Sequence, residues 1–328
     1  MMKVLVTGAT GFVGSWMTKK LVTEGLDVHI LRRSSSDLSE LINIDVTHHI
    51  GDVTDPESLV QAIKQVDVVF HLAGVVGYTP SARKLMEKVN IGGTQNVVEA
   101  CIKLDIKRLV YMSSVVAIGA SFNGQNPLNE QSEYNLEHLN LGYFQTKHEA
   151  EKIVKQACEK NQIDAVILNP STIYGPGDAK KGSRKTQVKV AQGKMPFYTS
   201  GGVNVIHIKD LVDAVYQAFQ VGKTGERYIL AGENLTIKQL FNYIAEAAGV
   251  KPPSIYMPDI VLHTIGKIGD ILERSGKKAP LSSENAWAAT LFHWFDSSKA
   301  QKDLNLTITP AKEAITSSVN WMKTNNII

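Results

Sequence analysis

A tyrosine and a lysine four residues apart, Tyr143 and Lys147, lie in a stretch of helical periodicity from about Leu141 to Asn161. Side chains at that spacing share one face of a helix. An ammonium beside a phenol favours the phenolate and draws a tyrosine pKa down from about 10 toward working pH. A tyrosine tuned in this way can act as general acid or base for a carbonyl/alcohol pair. A second candidate is Ser113-Ser114, which follows the apolar run Arg108 to Met112. A hydroxyl at the carboxyl end of a parallel strand can hydrogen-bond a substrate oxygen and polarise it. Each signal is common by itself: Tyr-x-x-x-Lys also describes an exposed helix face, and serine pairs cap many turns.

These side chains need elements to hold them, and the chain opens with one. Lys3 to Thr7 has the apolar, β-branched composition of a buried parallel strand. Glycines follow at positions 8, 11 and 14, and from Phe12 the apolar residues Phe12, Trp16, Met17 and Leu21 recur at helical spacing. Strand, glycine turn and helix are the setting of a dinucleotide fingerprint. Gly8 would make the sharp turn, Gly11 would let backbone approach a pyrophosphate, and Gly14 would let helix pack on strand. The helix N-terminus adds free N–H groups and partial positive charge. Thr7, Gly8, Thr10, Gly11, Phe12, Val13 and Gly14 are the candidate cradle.

The second strand, read from Asp27 to Leu31, runs into Arg32-Arg33-Ser34-Ser35-Ser36. An NAD site would place an acid at that strand end for the ribose 2′-hydroxyl. Asp27 opens the strand and Asp37 lies beyond the turn, so no acid is available there. The planar fork of an arginine suits a 2′-phosphate. NADP(H) is therefore expected in preference to NAD, held by Arg32 with Ser34 or Ser35 in support.

Strand and helix patterns then alternate, with strands at Val66 to Leu72, Arg108 to Met112 and Ala165 to Leu168 and long helices at about 83–103 and 141–161. This predicts an α/β fold, a Rossmann-type doubly wound parallel sheet. Past Pro170 the alternation weakens and the remainder reads as a smaller, mostly helical substrate domain. The expected division is 1–169 with about 204–222 for the nucleotide unit, and 170–203 with 223–328 for the substrate unit.

The formal charge of +3 is small and dispersed, which argues against nucleic acid. Lys180, Lys181, Arg184 and Lys185 form a local basic cluster that reads as a solvated loop. Cys101 and Cys158 lie far apart in helical patterns, giving neither a disulfide framework nor metal spacing, so no metal is expected. No apolar stretch approaches the ~18 residues of a membrane span. The first strand begins almost at Met1, leaving no room for a signal peptide, and the cytoplasm is the expected compartment.

Taken together, the motifs resemble a known family. Thr7 to Gly14, Gly51-Asp52-Val53-Thr54-Asp55, His71-Leu72-Ala73-Gly74, Ser113-Ser114, Tyr143-x-x-x-Lys147 and Asn169-Pro170-Ser171-Thr172 follow the order of the extended short-chain dehydrogenase/reductases. That superfamily includes the NAD-dependent epimerase/dehydratases. The similarity extends to Val205-Ile206-His207-Ile208-Lys209-Asp210 and to Phe295-Asp296-Ser297-Ser298-Lys299-Ala300. It implies that Asp52 and Val53 contact the adenine end and that His71, Leu72, Ala73 and Gly74 line the cofactor groove. It implies that Ser114 is the catalytic serine when Gly119 sets the register, with Ser113 as the other choice. Tyr143 would pass the proton, and Lys147 would bind the nicotinamide ribose and tune Tyr143. Pro170, Ser171 and Thr172 would meet the carboxamide, and Asn90 would support the site or simply pack at a helix kink. The resemblance also suggests a homodimer through the helices at about 83–103 and 141–161.

Three departures bear on the substrate. Val115-Val116 replaces the acidic pair of the sugar 4,6-dehydratases, and Val203 stands where nucleotide-sugar enzymes place a diphosphate-gripping arginine. Lys180, Lys181 or Arg184 could substitute for it. Gly11 to Trp16 and the Arg32 context look like the dihydroflavonol 4-reductase branch. Tyr78, Phe122, Phe197, Tyr198, Trp287, Phe292 and Trp294 are candidate lining residues for an apolar carbonyl substrate. His207 reads as a structural histidine at a junction between the two units. The expected activity is NADPH-dependent reduction of a ketone or aldehyde. The alternatives are an epimerase acting on a nucleotide- or lipid-linked sugar, and a non-catalytic NADP sensor.

Overall fold

The computed structural model describes residues 1–179, 184–277, 279 and 281–328. The opening apolar run forms β1 (Lys3–Thr7), whose Val4, Leu5 and Val6 are fully buried, as a strand covered on both faces requires. It pairs in parallel with β2 (Asp27–Arg32) on one side and β4 (Val68–His71) on the other, so that Val6 faces Ile30 and Phe70. Adding β3 (Thr47–Ile50), β5 (Arg108–Met112), β6 (Ala165–Pro170) and β10 (Arg227–Leu230) gives a seven-stranded sheet in the order β10-β6-β5-β4-β1-β2-β3. All its pairings are parallel. The connections reverse direction between β1 and β4, the crevice where such sheets bind ligands.

Helices cover both faces. Val4 and Val6 point into a core shared with Met17 and Leu21 of α1 (Phe12–Thr23) and Leu211 and Val215 of α7 (Ile208–Val221). Leu5 points the other way, as strand alternation demands. It meets residues of α2 (Pro56–Ile63), α4 (Gly93–Lys103) and α5 (Gly142–Glu159). Helix α2 starts as its Asp55-Pro56 signature indicates, with the Asp55 carboxylate accepting from the Glu57 amide.

The expected long helix at 83–103 is interrupted. It comprises α3 (Arg83–Met86), a π-helical turn over Glu87–Gly92, and α4. The widened turn carries Asn90 into the interior, where it is bonded to both backbone groups of Val75. Strand β3 has no counterpart in the sequence reading, because Thr-His-His-Ile is a polar, largely exposed edge with no apolar alternation. It is tied to β2 by His29 Nδ1 and His49 Nε2, 2.8 Å apart.

A second layer is built from β7 (Thr172–Tyr174), β9 (Gly202–His207) and β11 (Glu233–Thr236), with β9 central. It shares a core with α6 (Lys185–Ala191), α8 (Ile237–Ala248) and α12 (Ala311–Thr324). Sheet membership interleaves with chain order: β9 lies in this smaller sheet, and β10 returns to the edge of the large one. The ribbon of β8 (Phe197–Tyr198) and β12 (Ile255–Tyr256) leads to α9 (Asp259–Arg274), which packs on α10 (Ser283–Thr290). Helix α11 (Ser298–Leu304) packs on α7. Both cysteines are free, buried thiols with raised pKa. Among the described residues, no helix is long and apolar enough to cross a membrane, and no cluster of His, Cys, Asp or Glu could hold a metal ion.

Candidate active site

The first turn of α5 carries Tyr143, and the helix has no side-chain cap of its own. Its orphan N–H groups are met from outside by Glu284 of α10. Glu284 Oε1 accepts from the Tyr143 amide at 2.8 Å, and the Gly142 amide also stabilises the carboxylate. Burial nevertheless pushes Glu284 up to about 7, against those amides and the Arg83 guanidinium.

One turn along, Lys147 is buried and donates to the Met112 carbonyl at the end of β5 at 2.8 Å. Its ammonium sits 5.2 Å from the centre of the Tyr111 ring. Burial lowers Lys147 to about 8, with the Glu151 carboxylate pulling the other way.

The effect on Tyr143 differs from the sequence expectation. Its pKa is raised, not lowered: burial dominates, and the neighbouring Ser114 hydroxyl opposes it only in part. The Lys147 ammonium, which donates to the Met112 carbonyl, is not among the groups that offset the loss of water around the phenol. Tyr143 is therefore held protonated, the state of a proton donor.

The two serines diverge. Ser114 faces Tyr143, its oxygen also caps the short turn at Val115–Ala117, and its carbonyl accepts from Asn169 Nδ2 at 3.0 Å. Ser113 Oγ turns the other way and donates to Glu151, which also takes Asn169 Nδ2 at 2.6 Å and pairs with Arg227 at 3.3 Å. Asn90 Nδ2 reaches Thr146 Oγ1 at 3.2 Å, so the π turn touches α5 between Tyr143 and Lys147.

The glycine turn forms a close-fitting backbone cradle. Gly8 has φ +74°, and a Cβ there would lie 2.7 Å from the Ala73 nitrogen. A Cβ on Gly14 would lie 2.0 Å from the Gly8 carbonyl oxygen. Gly11 starts α1 and, having no side chain, supplies no cap to the first amides of the helix, at Phe12 and Val13. Thr7 is fully buried, and its hydroxyl lies 2.8 Å from His71 Nδ1, while His71 Nε2 lies 3.1 Å from Thr94 Oγ1. Burial and the Lys147 charge hold His71 neutral, down at about 3. Thr7 and His71 thus fasten β1 to β4 and hold Leu72, Ala73 and Gly74 beside the turn.

Asp52 Oδ1 accepts from the Thr54 amide at 2.9 Å, and Val53 is buried against Gly93. Arg32 Nε donates to His48 Nδ1 at 2.9 Å, and its Nη1 donates to the Arg33 carbonyl. Ser34 and Ser35 are exposed in the following turn. Pro170 ends β6, and on either side of it the buried Asn169 Oδ1 and Ser171 Oγ have no hydrogen-bond partner among the described residues, two polar atoms ready for a ligand.

Of the aromatic candidates, Tyr78 meets Tyr143 edge-on with ring centres 5.8 Å apart, and Trp287 packs in the same apolar cluster. Phe292 and Trp294 form a pair at 5.0 Å, and Trp294 Nε1 donates to the Leu235 carbonyl. Phe122 is exposed near His138, and Phe197 and Tyr198 lie in the outer ribbon. His207 caps α7 through the Lys209 amide and lies 3.3 Å from Ser317 Oγ. Glu284 escaped the sequence reading because 141 residues separate it from Tyr143. Glu151 could have been found, one turn beyond Lys147 on the same helix face.

The sheet order, the glycine turn and the tyrosine and lysine of α5 define an extended short-chain dehydrogenase/reductase. Within that class the chain belongs to the NAD dependent epimerase/dehydratase family, whose sequence model matches residues 4–231. It is 30% identical over 329 residues to a Synechocystis sp. protein provisionally named dihydroflavonol 4-reductase, covering 98% of this chain and 95% of that one. It is 28% identical over 331 residues to sterol demethylase protein B of Methylococcus capsulatus, covering 100% of both. The crystal structure of gox2253 superposes with a TM-score of 0.88 at 32% identity over 100% of each chain.

Proposed function

We propose that this chain is an NADP(H)-dependent oxidoreductase that reduces a ketone or aldehyde of largely apolar character. The observation that carries this reading is the placement of Tyr143 beside Ser114 in the first turn of α5, one turn before Lys147, whose Nζ donates to the Met112 carbonyl at the end of β5. A nicotinamide cofactor, when bound, supplies the hydride. Ser114 would hold the carbonyl oxygen, and Tyr143 would give it a proton, a role of about 10²–10⁴-fold in rate. Lys147, its ammonium already aimed along the end of β5, would bind the ribose and support the charge left on Tyr143.

The residues fit such a cofactor. The cradle around Gly8, Gly11 and Gly14 has no room for a Cβ at Gly8 or Gly14. Phe12 and Val13 would present amides to the pyrophosphate. Asp52, Val53, Leu72, Ala73 and Gly74 would line the groove, with Ser113 behind it, and Pro170, Ser171 and Thr172 would receive the carboxamide. Arg32, with Ser34, would take the 2′-phosphate, since no carboxylate ends β2. Segments 170–203 and 223–328 would supply most of the substrate contacts.

A nucleotide-sugar epimerase is less well supported by this site. Val203 is buried in the core of the smaller sheet, and Arg184 donates to the Ile173 carbonyl and stacks 4.1 Å from the Tyr174 ring. Neither reaches out for a diphosphate. Lys180 and Lys181 lie outside the described residues.

The test is a panel of apolar aldehydes and ketones with NADPH and NADH, followed at the nicotinamide absorbance. NADPH should be consumed in preference to NADH, and Tyr143→Phe should abolish most turnover while NADPH still binds. Unchanged turnover in Tyr143→Phe would sink the mechanism.

A further inference from the structure

Helix α9 buries one side and leaves the opposite side uncovered. Its inward face is set by Gly266 and Gly269, where added Cβ atoms would lie 3.0 and 1.8 Å from the carbonyl oxygens of Ser282 and Leu281. On the outward face Ile260 is 77% exposed, Ile271 67%, Ile268 53% and Val261 42%. With Thr264 these positions follow the i, i+1, i+4, i+8, i+11 spacing of a continuous helical stripe, apolar where a solvated face should be polar.

The charges of the same helix are sorted. Each acid turns toward protein: Asp259 accepts from Ser200 Oγ at 2.7 Å, Asp270 from the Ser283 amide at 3.1 Å, and Glu273 from Ser81 Oγ. Lys267 and Arg274 border the isoleucine stripe and Lys277 follows it, all three exposed and without an acidic partner among the described residues. The exposed Ile255 and Tyr256 precede the helix, Ile255 paired with the exposed Phe197 and Tyr256 with Tyr198.

We propose that this face docks on an anionic lipid surface. The isoleucines would enter the boundary between headgroups and acyl chains, and Lys267, Arg274 and Lys277 would meet lipid phosphates. Charge complementarity favours this occupant, because the acids that would oppose it are already bonded on the inward side. The stripe is also small for a protein partner: a 16-residue helix is about 24 Å long, whereas a standard interface takes some 20–30 residues a side. A bilayer accepts a narrow stripe without shape matching. Because α9 packs on α10, which carries Glu284 and Trp287, docking would place the Tyr143 end of the molecule near the membrane.

The experiment is cosedimentation of the full chain with vesicles of phosphatidylcholine alone or mixed with phosphatidylglycerol. Binding should be stronger by about tenfold or more to the mixed vesicles, and Lys267→Glu with Arg274→Glu should remove that preference. Ile260→Ser with Ile271→Ser should abolish binding to both while leaving the unfolding transition in place. Failure to bind either vesicle overturns the proposal, as does binding that neither pair of substitutions changes. A dimer in solution that Ile260→Ser with Ile271→Ser converts to monomer, without vesicle binding, would overturn it too and assign the face to a second copy.

Discussion

The carboxylate of Glu284 accepts the amide hydrogen of Tyr143 at 2.8 Å, joining the start of α5 to a helix 141 residues further along the chain. The cap therefore depends on the protonation state of a buried acid. A carboxylate at a helix N-terminus satisfies orphan amides and complements the helix dipole, and its neutral form does both less well.

Glu284 should make stability fall with rising pH. Its ordinary pKa of 4.5 is raised to about 7 on folding, so between those values the folded chain binds more protons than the unfolded one. Ionising it in the folded state then costs up to about 3 kcal/mol above that window. Glu284→Gln should flatten the slope in urea unfolding measured from about pH 5 to pH 8. Tyr78, Tyr134 and Asp270 feel or exert the same charge, and Arg83 opposes the shift. An equal slope in wild type and Glu284→Gln would show that another group titrates.

Lys147→Met should trade activity for stability. Lys147 falls from its ordinary 10.5 to about 8, so below pH 8 the folded chain bears a buried charge that costs nothing when unfolded. The variant should gain about 1–3 kcal/mol at neutral pH. That gain should fade as pH rises from 8 to 10.5. Turnover should be lost over the whole range. Urea denaturation at two pH values, with NADPH oxidation alongside, separates these effects.

Arg32→Glu should reverse the cofactor preference. A charge-assisted hydrogen bond to a phosphate contributes about 1.5–3 kcal/mol, so kcat/KM with NADPH should fall by about 10- to 100-fold. The new carboxylate at the end of β2 could bind a ribose 2′-hydroxyl, so NADH should improve. An unaltered NADPH/NADH ratio would remove Arg32 from the 2′-phosphate site.

Local pattern made much of this protein legible. The buried strands announce themselves because parallel strands covered on both faces must be apolar. The glycine turn is readable because only glycine fits a φ of +74° at Gly8 and the close packing at Gly14. Tyr143 and Lys147 are visible as a pair because helical spacing puts them on one face. Strand β3 was not legible, since an exposed polar edge carries no apolar period, and neither was the π turn that brings Asn90 to Thr146.

What the sequence determined by itself is the fold class, the family and the order of its motifs, all carried by neighbours a few residues apart. Tertiary structure supplied the contacts behind the choice of Ser114 that the resemblance implied: Ser114 lies beside Tyr143 while Ser113 serves Glu151, because the two adjacent serines leave their strand end in different directions. It also decided that Tyr143 is raised rather than lowered. Burial of a phenol depends on everything packed around it, which the spacing of a tyrosine and a lysine on one helix does not reveal.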